Sequence, residues 1–266
     1  MNAEQVANQG SSTVNRALRI LAEISSETNG ITVIELARRC DVNRVTVHRI
    51  IAAFKAHGFV RQPTPGGPYR LGFRFLELAD LVLSDTDAAR LAAPLLATLA
   101  ERSGETSHFA LLDGSEAVYV AKRESSQAVR LVSKIGARVP LYCTGLGKAL
   151  LAAASPELAS RLIAEQSFVR VTPTTLTSAA GLRKELDTIR ARGYAVDLGE
   201  NEESVNCVSA AVLGRDGEPI GAISISGPAW RIDKGRFAEL GGLVEKTSAA
   251  LSNAIVGRPI PAAAQD

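Results

Sequence analysis

The sequence predicts an α+β protein, with a winged helix-turn-helix at the N-terminus followed by a larger α/β domain on a mostly antiparallel sheet. Three observations carry this. Residues 31–62 read ITVIELARRCDVNRVTVHRIIAAFKAHGFVRQ, two helical patterns separated by a three-residue gap. Two strand-like runs, 58–62 and 69–71, flank the turn-forming cluster PTPGGP at 63–68, as the strands of a wing do. Beyond residue 104 the pattern changes to strand pairs joined by tight turns, with helices grouped between them.

The helix-turn-helix follows from its caps and its period. Thr32 and Glu35 form a T-x-x-E capping box with Ile31 and Leu36 as the hydrophobic staple, which starts a helix over 33–39. Asn43 then caps a second helix whose apolar residues Val47, Ile50, Ile51 and Phe54 fall at i, i+3, i+4 and i+7. With those buried, Arg44, Val45, His48 and Arg49 project from the first two turns, where a helix in the major groove presents its side chains. A helical hairpin that merely packs its apolar face has the same period, but the adjoining wing favours DNA.

Upstream, Thr13 or Asn15 caps a first helix to about residue 25. Its expected inner face is Val14, Ala17, Leu18, Leu21 and Ile24, with Arg16 and Arg19 turned to the DNA backbone. After the wing, 73–83 is a helix rich in apolar residues (Phe75, Leu76, Leu78, Leu81, Val82), suited to a partner subunit or to the first helix. The expected plan is a flexible tail over 1–12, a DNA-binding domain over 13–72, a linker helix over 73–86, a second domain over 87–257 and a tail over 258–266.

In the second domain Asp87 is the expected cap of a helix to about residue 102. A hairpin over 106–112 and 117–122 turns at Asp113-Gly114, and 129–132 reads as a further strand. Helices follow over 145–153, 156–165 and 179–192, the last closed by Gly193. Strands over 194–198, 207–213 and 220–226 precede a final helix over 234–256 that buries Phe237, Leu240, Val244 and Leu251.

Composition narrows the function. The chain has 266 residues, 46% of them hydrophobic, enough for two packed cores. Its net charge of +2 hides an asymmetry: residues 1–75 hold ten Lys/Arg against five Asp/Glu, and the remainder twenty against twenty-three. The basic excess coincides with the helix-turn-helix, as phosphate binding requires. Cys40, Cys143 and Cys207 stand apart with no C-x-x-C, which argues against zinc or a disulfide framework and fits a reduced cytoplasm. With no apolar run of about 18 residues and a polar 1–12, a soluble protein that is neither exported nor membrane-bound is expected.

Thr144-Gly145-Leu146-Gly147-Lys148 departs from a Walker A loop, since Tyr142 stands at the first glycine position and Ala149 replaces the magnesium-binding hydroxyl. A glycine-bearing turn opening a helix still offers backbone N–H groups and a positive helix end to a carboxylate, although it equally serves close packing. Asp197, Cys207, Ser224 and Ser226 are polar residues on expected inner strands, and the two serines share a face by the period of two. Glu200, Glu202 and Glu203 read as a solvated acidic loop. Of the three histidines, His48 and His57 belong to the DNA-binding unit, which leaves His108 as the only base for Cys207. No G-x-S-x-G elbow or metal-ligand cluster accompanies them, so no catalytic residue, metal or cofactor is expected.

Across about residues 12–256 the sequence resembles the IclR family of bacterial transcription regulators. The matching residues are VNRALRIL at 14–21, HRII at 48–51, GFVR at 58–61, VPLYCTGLGKALLA at 139–152, RGYAVD at 192–197 and SISGP at 224–228. The resemblance implies a GAF-like effector-binding second domain and a homodimer or homotetramer. It implies a pocket formed by Thr144, Gly145 and Leu146 with Asp197, Cys207, Ser224 and Ser226. Where family members carry Ser-Thr on the reading helix this chain has Val45-Thr46, so Val45 meets a thymine methyl while Thr46 binds phosphate and Arg44 and Arg49 bind phosphate or guanine. Asn43, His48, Arg61 and Arg70 complete the expected DNA contacts. The implied function is a DNA-binding regulator, more a repressor than an activator, whose partners are operator DNA and a small organic or aromatic carboxylate. The alternatives are an enzyme for a small acid with an appended winged helix, and a winged-helix interaction module that never touches DNA.

Overall fold

The structure is a computed structural model that describes residues 12–85 and 87–257. Of the expected N-terminal tail only Ser12 is described, and the expected C-terminal tail lies outside the described residues. The chain divides into two compact units, the first ending at Val82 and the second beginning at Leu83.

The first unit contains α1 (Ser12–Ser26), α2 (Val33–Arg39), α3 (Arg44–Ala56), β1 (Val60–Arg61) and β2 (Arg70–Leu71); α4 (Arg74–Asp85) runs past its end. The local signals behave as their chemistry dictates. Thr32 Oγ1 accepts the Glu35 N–H at 3.3 Å while Glu35 Oε2 accepts the Thr32 N–H at 3.0 Å, closing the capping box. Asn43 Oδ1 accepts the Thr46 N–H at 2.8 Å and starts α3. Between the helices Asp41 adopts φ 51°, a left-handed conformation that Asp tolerates better than most residues. Ile31 and Leu36 join Ile20, Ile24, Val47, Ile50, Ile51 and Val60 in one buried core. The wing strands pair antiparallel, Val60 opposite Leu71 and Arg61 opposite Arg70.

The inner face of α1 differs from expectation. Ile20 and Ile24 are buried and Ala17 and Leu21 half-buried, whereas Val14 and Leu18 are 56% and 59% exposed. At about 100° per residue, positions 17, 20, 21 and 24 form one stripe and 14 and 18 lie on its flank. This small core covers the stripe only.

The second unit contains α5 (Asp87–Ser103), β3 (Thr106–Asp113), β4 (Glu116–Arg123), β5 (Arg138–Pro140), α6 (Gly145–Ala153), α7 (Pro156–Ala164), α8 (Ala179–Arg192), β6 (Ala195–Leu198), β7 (Val205–Leu213), β8 (Pro219–Pro228) and α9 (Phe237–Ile255). Asp87, expected as a cap, is the first residue of α5, next to Thr86, which is not described. The six strands form one sheet in the order β5-β4-β3-β8-β7-β6, with every neighbouring pair antiparallel. Alternation along the strands builds two cores. Phe109, Val208, Ile223 and Ile225 meet α5 and α9 on one face, and Ala110 and Ala222 meet α6, α7 and α8 on the other.

The strand expected over 129–132 does not form. β4 pairs on its outer side with β5, Glu116 opposite Pro140 and Val118 opposite Arg138, so 129–132 finds no strand edge there. Val129 and Val132 are 59% and 83% exposed, and the segment is tied down by side chains instead: Arg231 donates to Val129 O at 2.8 Å and Lys122 Nζ to Ser133 O at 2.6 Å.

Candidate functional site

Two surfaces collect the residues singled out in the sequence. On α3, burial of Val47, Ile50 and Ile51 turns Arg44, Val45, His48 and Arg49 to the outside, Val45 with 71% of its surface exposed. Asn43 is exposed at the helix start and Thr46 half-buried behind it; Arg16 and Arg19 are exposed on α1. The wing arginines are engaged within the unit. Arg61 lies 4.8 Å over the Phe73 ring and donates to Leu71 O, and Arg70 donates to Asn29 O at 3.1 Å.

The second surface is a cavity of about 290 Å³ between the α6 face of the sheet, the start of α6 and the 131–139 segment. All seven expected pocket residues line it: Thr144, Gly145, Leu146, Asp197, Cys207, Ser224 and Ser226. Strand register brings them together, since Asp197 stands opposite Cys207 and Cys207 opposite Ser226. The Ser224 and Ser226 hydroxyls are 3.3 Å apart and both residues are buried.

The start of α6 is pressed onto the sheet. Thr144 Oγ1 accepts the Gly147 N–H at 3.1 Å and donates to Pro140 O at 2.6 Å. A Cβ on Gly147 would stand 2.2 Å from Leu141 Cα, and one on Gly145 2.6 Å from Ser209 Oγ. The glycines therefore serve close packing, and Gly145 and Leu146, whose amides have no acceptor inside the helix, line the cavity.

Lys148 and the acidic loop differ from expectation. Glu200 is not solvated: it is 6% exposed and forms a buried ion pair with Lys148, whose Nζ also donates to Val196 O at 2.7 Å. The lysine of this phosphate-loop-like stretch thus fastens α6 to β6 and the turn after it. In that turn the Glu200 N–H donates to Asp197 Oδ1 at 2.8 Å. Burial pushes the Asp197 carboxyl up to about 7, against the pull of the Glu200 amide.

Sequence reasoning did not include Tyr119, the 131–134 stretch, Asn201 and Val205 in the lining, nor Glu202. His108 lies just behind the lining and is fully buried, with Nε2 2.8 Å from Ser133 Oγ and Nδ1 3.3 Å from Ser224 Oγ. Its place on the same strand face as Thr106 and Ala110 was readable from the period of two. Burial and the nearby Lys122 push its imidazole down to about 3, while burial and Asp197 push the Cys207 thiol up. Both are uncharged near neutral pH, the reverse of the thiolate–imidazolium state that a nucleophilic pair requires.

The family model described as the IclR helix-turn-helix domain matches residues 13–64, and that described as bacterial transcriptional regulator IclR C-terminal matches residues 80–253. The transcriptional regulator XynR of Escherichia coli (strain K12) is 31% identical over 243 residues, covering 91% of this chain and 96% of XynR. The transcriptional repressor AllR of the same strain is 32% identical over 253 residues, covering 95% of this chain and 93% of AllR. Among solved structures, the Thermotoga maritima IclR superposes with a TM-score of 0.80 at 30% identity, covering 91% of this chain and 98% of that one. The cap-and-stripe construction of the reading helix and the two matches together establish that this chain belongs to the IclR family and is a DNA-binding transcriptional regulator.

Proposed function

We propose that this regulator is a repressor whose affinity for operator DNA changes when a small organic carboxylate occupies the 290 Å³ cavity of the second unit. One observation carries the reading. Gly145 and Leu146, at the helix start where the first amides have no internal acceptor, line the same cavity as Ser224 and Ser226, a set of donors matched to an anionic group. Asp197, with its carboxyl near 7, accepts a proton readily and then donates to the ligand instead of repelling it. Thr144 and Cys207 complete the pocket. The volume limits the occupant to a small molecule, aliphatic or with a single aromatic ring.

On the DNA side Arg44, Val45, His48 and Arg49 read the major groove. Asn43, Thr46, Arg16 and Arg19 hold the backbone, and Arg61 and Arg70 brace the wing within reach of phosphate. The domain plan is a DNA-binding domain over 13–72, a linker helix over 73–86 and an effector domain over 87–257. Repression is favoured by the likeness to the AllR repressor. A homodimer or homotetramer is favoured by exposed Leu18, Phe73, Leu76 and Leu81, which a second copy would cover. Work on operator DNA implies the cytoplasm. The uncharged state of both Cys207 and His108 favours binding over catalysis at this cavity. The deciding experiment replaces Ser224 and Ser226 together by Ala: the effector response of operator binding is expected to vanish while DNA binding persists. A response that survives would misplace the ligand.

A further inference from the structure

The walls of the cavity are not equally secured. The sheet that carries Tyr119, Asp197, Cys207, Ser224 and Ser226 is tied by continuous strand ladders, and the start of α6 is pressed into a core. The turn after β6, with Asn201 and Glu202, is fastened by Lys148 on Glu200 and by the Thr172 and Thr175 hydroxyls, which donate to Gly199 O and Glu200 O at 2.7 Å each.

The 124–137 segment between β4 and β5, which contributes Leu131, Val132, Ser133, Lys134 and Ala137 to the lining, is held differently. Its ends are anchored: the Ser125 N–H donates to Thr106 Oγ1 at 3.1 Å and the Gly136 N–H to Tyr119 O at 2.7 Å. Between these anchors, among the described residues, no backbone–backbone hydrogen bond ties 126–135 to anything outside the segment. Val129, Val132 and Ile135 are exposed, so apolar burial adds little.

Two cations hold this strap by its carbonyls. Arg231 Nη2 donates to Val129 O at 2.8 Å, and Lys122 Nζ donates to Ser133 O at 2.6 Å. Each cation is backed by a carboxylate. The buried Glu105 accepts from Nε and Nη2 of Arg231 at 2.6 Å each, and Glu124 accepts from Lys122 at 2.8 Å. Gly227 makes room for the first pair, since a Cβ there would stand 2.4 Å from Glu105 Oε2. A further tie is the 2.8 Å contact between His108 Nε2 and Ser133 Oγ. Because Asp197, Ser224 and Ser226 on the cavity floor are all buried, a molecule that reaches them has to pass a wall. Opening the sheet breaks ladder bonds and moving α6 breaks a core, whereas releasing the strap breaks a few side-chain hydrogen bonds of about 1–3 kcal/mol each.

We propose that the strap over 126–135 is the gate of the cavity and that Arg231 and Lys122, each gripping one strap carbonyl, are its latches. Neither latch lines the cavity, so both act on entry and escape without touching what is bound. That an effector passes this gate rests on the effector reading above; that the gate opens does not.

The three cysteines supply the test. Cys207 lines the cavity, Cys143 is buried in the core beside α6, and Cys40 is buried in the core of the first unit. Burial holds the Cys207 thiol above its ordinary value, so opening the cavity to water both admits a reagent and restores reactivity. Full-length wild type, Lys122→Met, Arg231→Lys and the double variant are treated with iodoacetamide, and alkylation of each cysteine is followed by peptide mass spectrometry. Arg231→Lys keeps a cation on Glu105 but lacks the fork that serves carboxylate and carbonyl together. Lys122→Met leaves no buried charge behind, because Glu124 is exposed and keeps Arg130 as a partner. Each single variant is expected to raise the Cys207 rate about tenfold, the weight of one hydrogen bond, and the double variant to raise it further, with Cys143 and Cys40 unchanged. A Cys143 rate that rises in step with Cys207 makes these contacts ordinary supports of the unit and overturns the proposal. A Cys207 rate that neither variant alters overturns it as well. If Cys207 responds as expected while no acid binds wild type, the effector reading fails and the gate stands.

Discussion

Lys148 and Glu200 meet in a buried ion pair that joins the first turn of α6 to the turn after β6, at 1% and 8% side-chain exposure. One Glu200 oxygen has no hydrogen-bond partner among the described residues, so Lys148 is the main compensation for that carboxylate, and burial holds its pKa above the ordinary value in spite of the lysine.

Lys148→Met is therefore expected to destabilise the second unit by about 3–5 kcal/mol, the cost of stranding a buried charge. Removing both partners in Lys148→Met/Glu200→Leu should recover much of that loss. Urea unfolding of the three proteins checks the order; a double variant no more stable than the single would mean that the pair holds the turn by geometry instead of charge.

Asp197 gives the protein a pH signature. Its folded pKa of about 7 lies above the unfolded value of 3.8, so between these the folded state binds more protons and stability falls as pH rises. The loss is complete above about pH 7 and amounts to a few kcal/mol at most. Asp197→Asn keeps an acceptor for the Glu200 amide and should be more stable than wild type at pH 8 while matching it near pH 4. Parallel stability curves for the two proteins would remove Asp197 as the source.

The two glycines at the start of α6 should answer differently to a methyl group. Gly147→Ala drives a Cβ into the Leu141 backbone and is expected to cost several kcal/mol, with a correspondingly lower melting temperature. Gly145→Ala meets the Ser209 hydroxyl at 2.6 Å, which has no hydrogen-bond partner among the described residues and can turn aside, and the Cys207 Cβ at 3.3 Å, which must give by a few tenths of an ångström. It should cost less stability than Gly147→Ala, and its defect should appear in ligand binding.

Arg49→Ala should weaken binding to a specific operator by about 1–3 kcal/mol and leave the thermal midpoint unchanged, because the side chain is exposed on α3. Affinity measured by fluorescence anisotropy at fixed salt decides it; wild-type affinity in the variant takes Arg49 out of the interface.

Much of this was legible in the sequence because the signals were local. The Thr32–Glu35 box and the Asn43 cap are set by residues three apart, and both formed as read. Ser224 and Ser226 share a face by the period of two, and the family resemblance named Asp197 and Cys207 with them; strand register sets the four side by side. What stayed hidden depended on distant partners. Glu200 looks solvated until Lys148, fifty-two residues away, is seen beneath it. The 129–132 run has strand composition but lost its edge to β5, and Val14 and Leu18 read as core because nothing local distinguishes a stripe from its flank.

A carboxylate bound by Gly145, Leu146, Ser224 and Ser226 is expected to control operator binding. The most direct measurement is a thermal-shift screen of the full-length protein against small aliphatic and aromatic acids, repeated with Ser224→Ala/Ser226→Ala and followed by operator binding with any stabilising acid. At least one acid is expected to raise the melting temperature of wild type, to change its operator affinity, and to lose both effects in the double variant. An acid that acts equally on both proteins, or a wild type that no acid stabilises, would contradict the account.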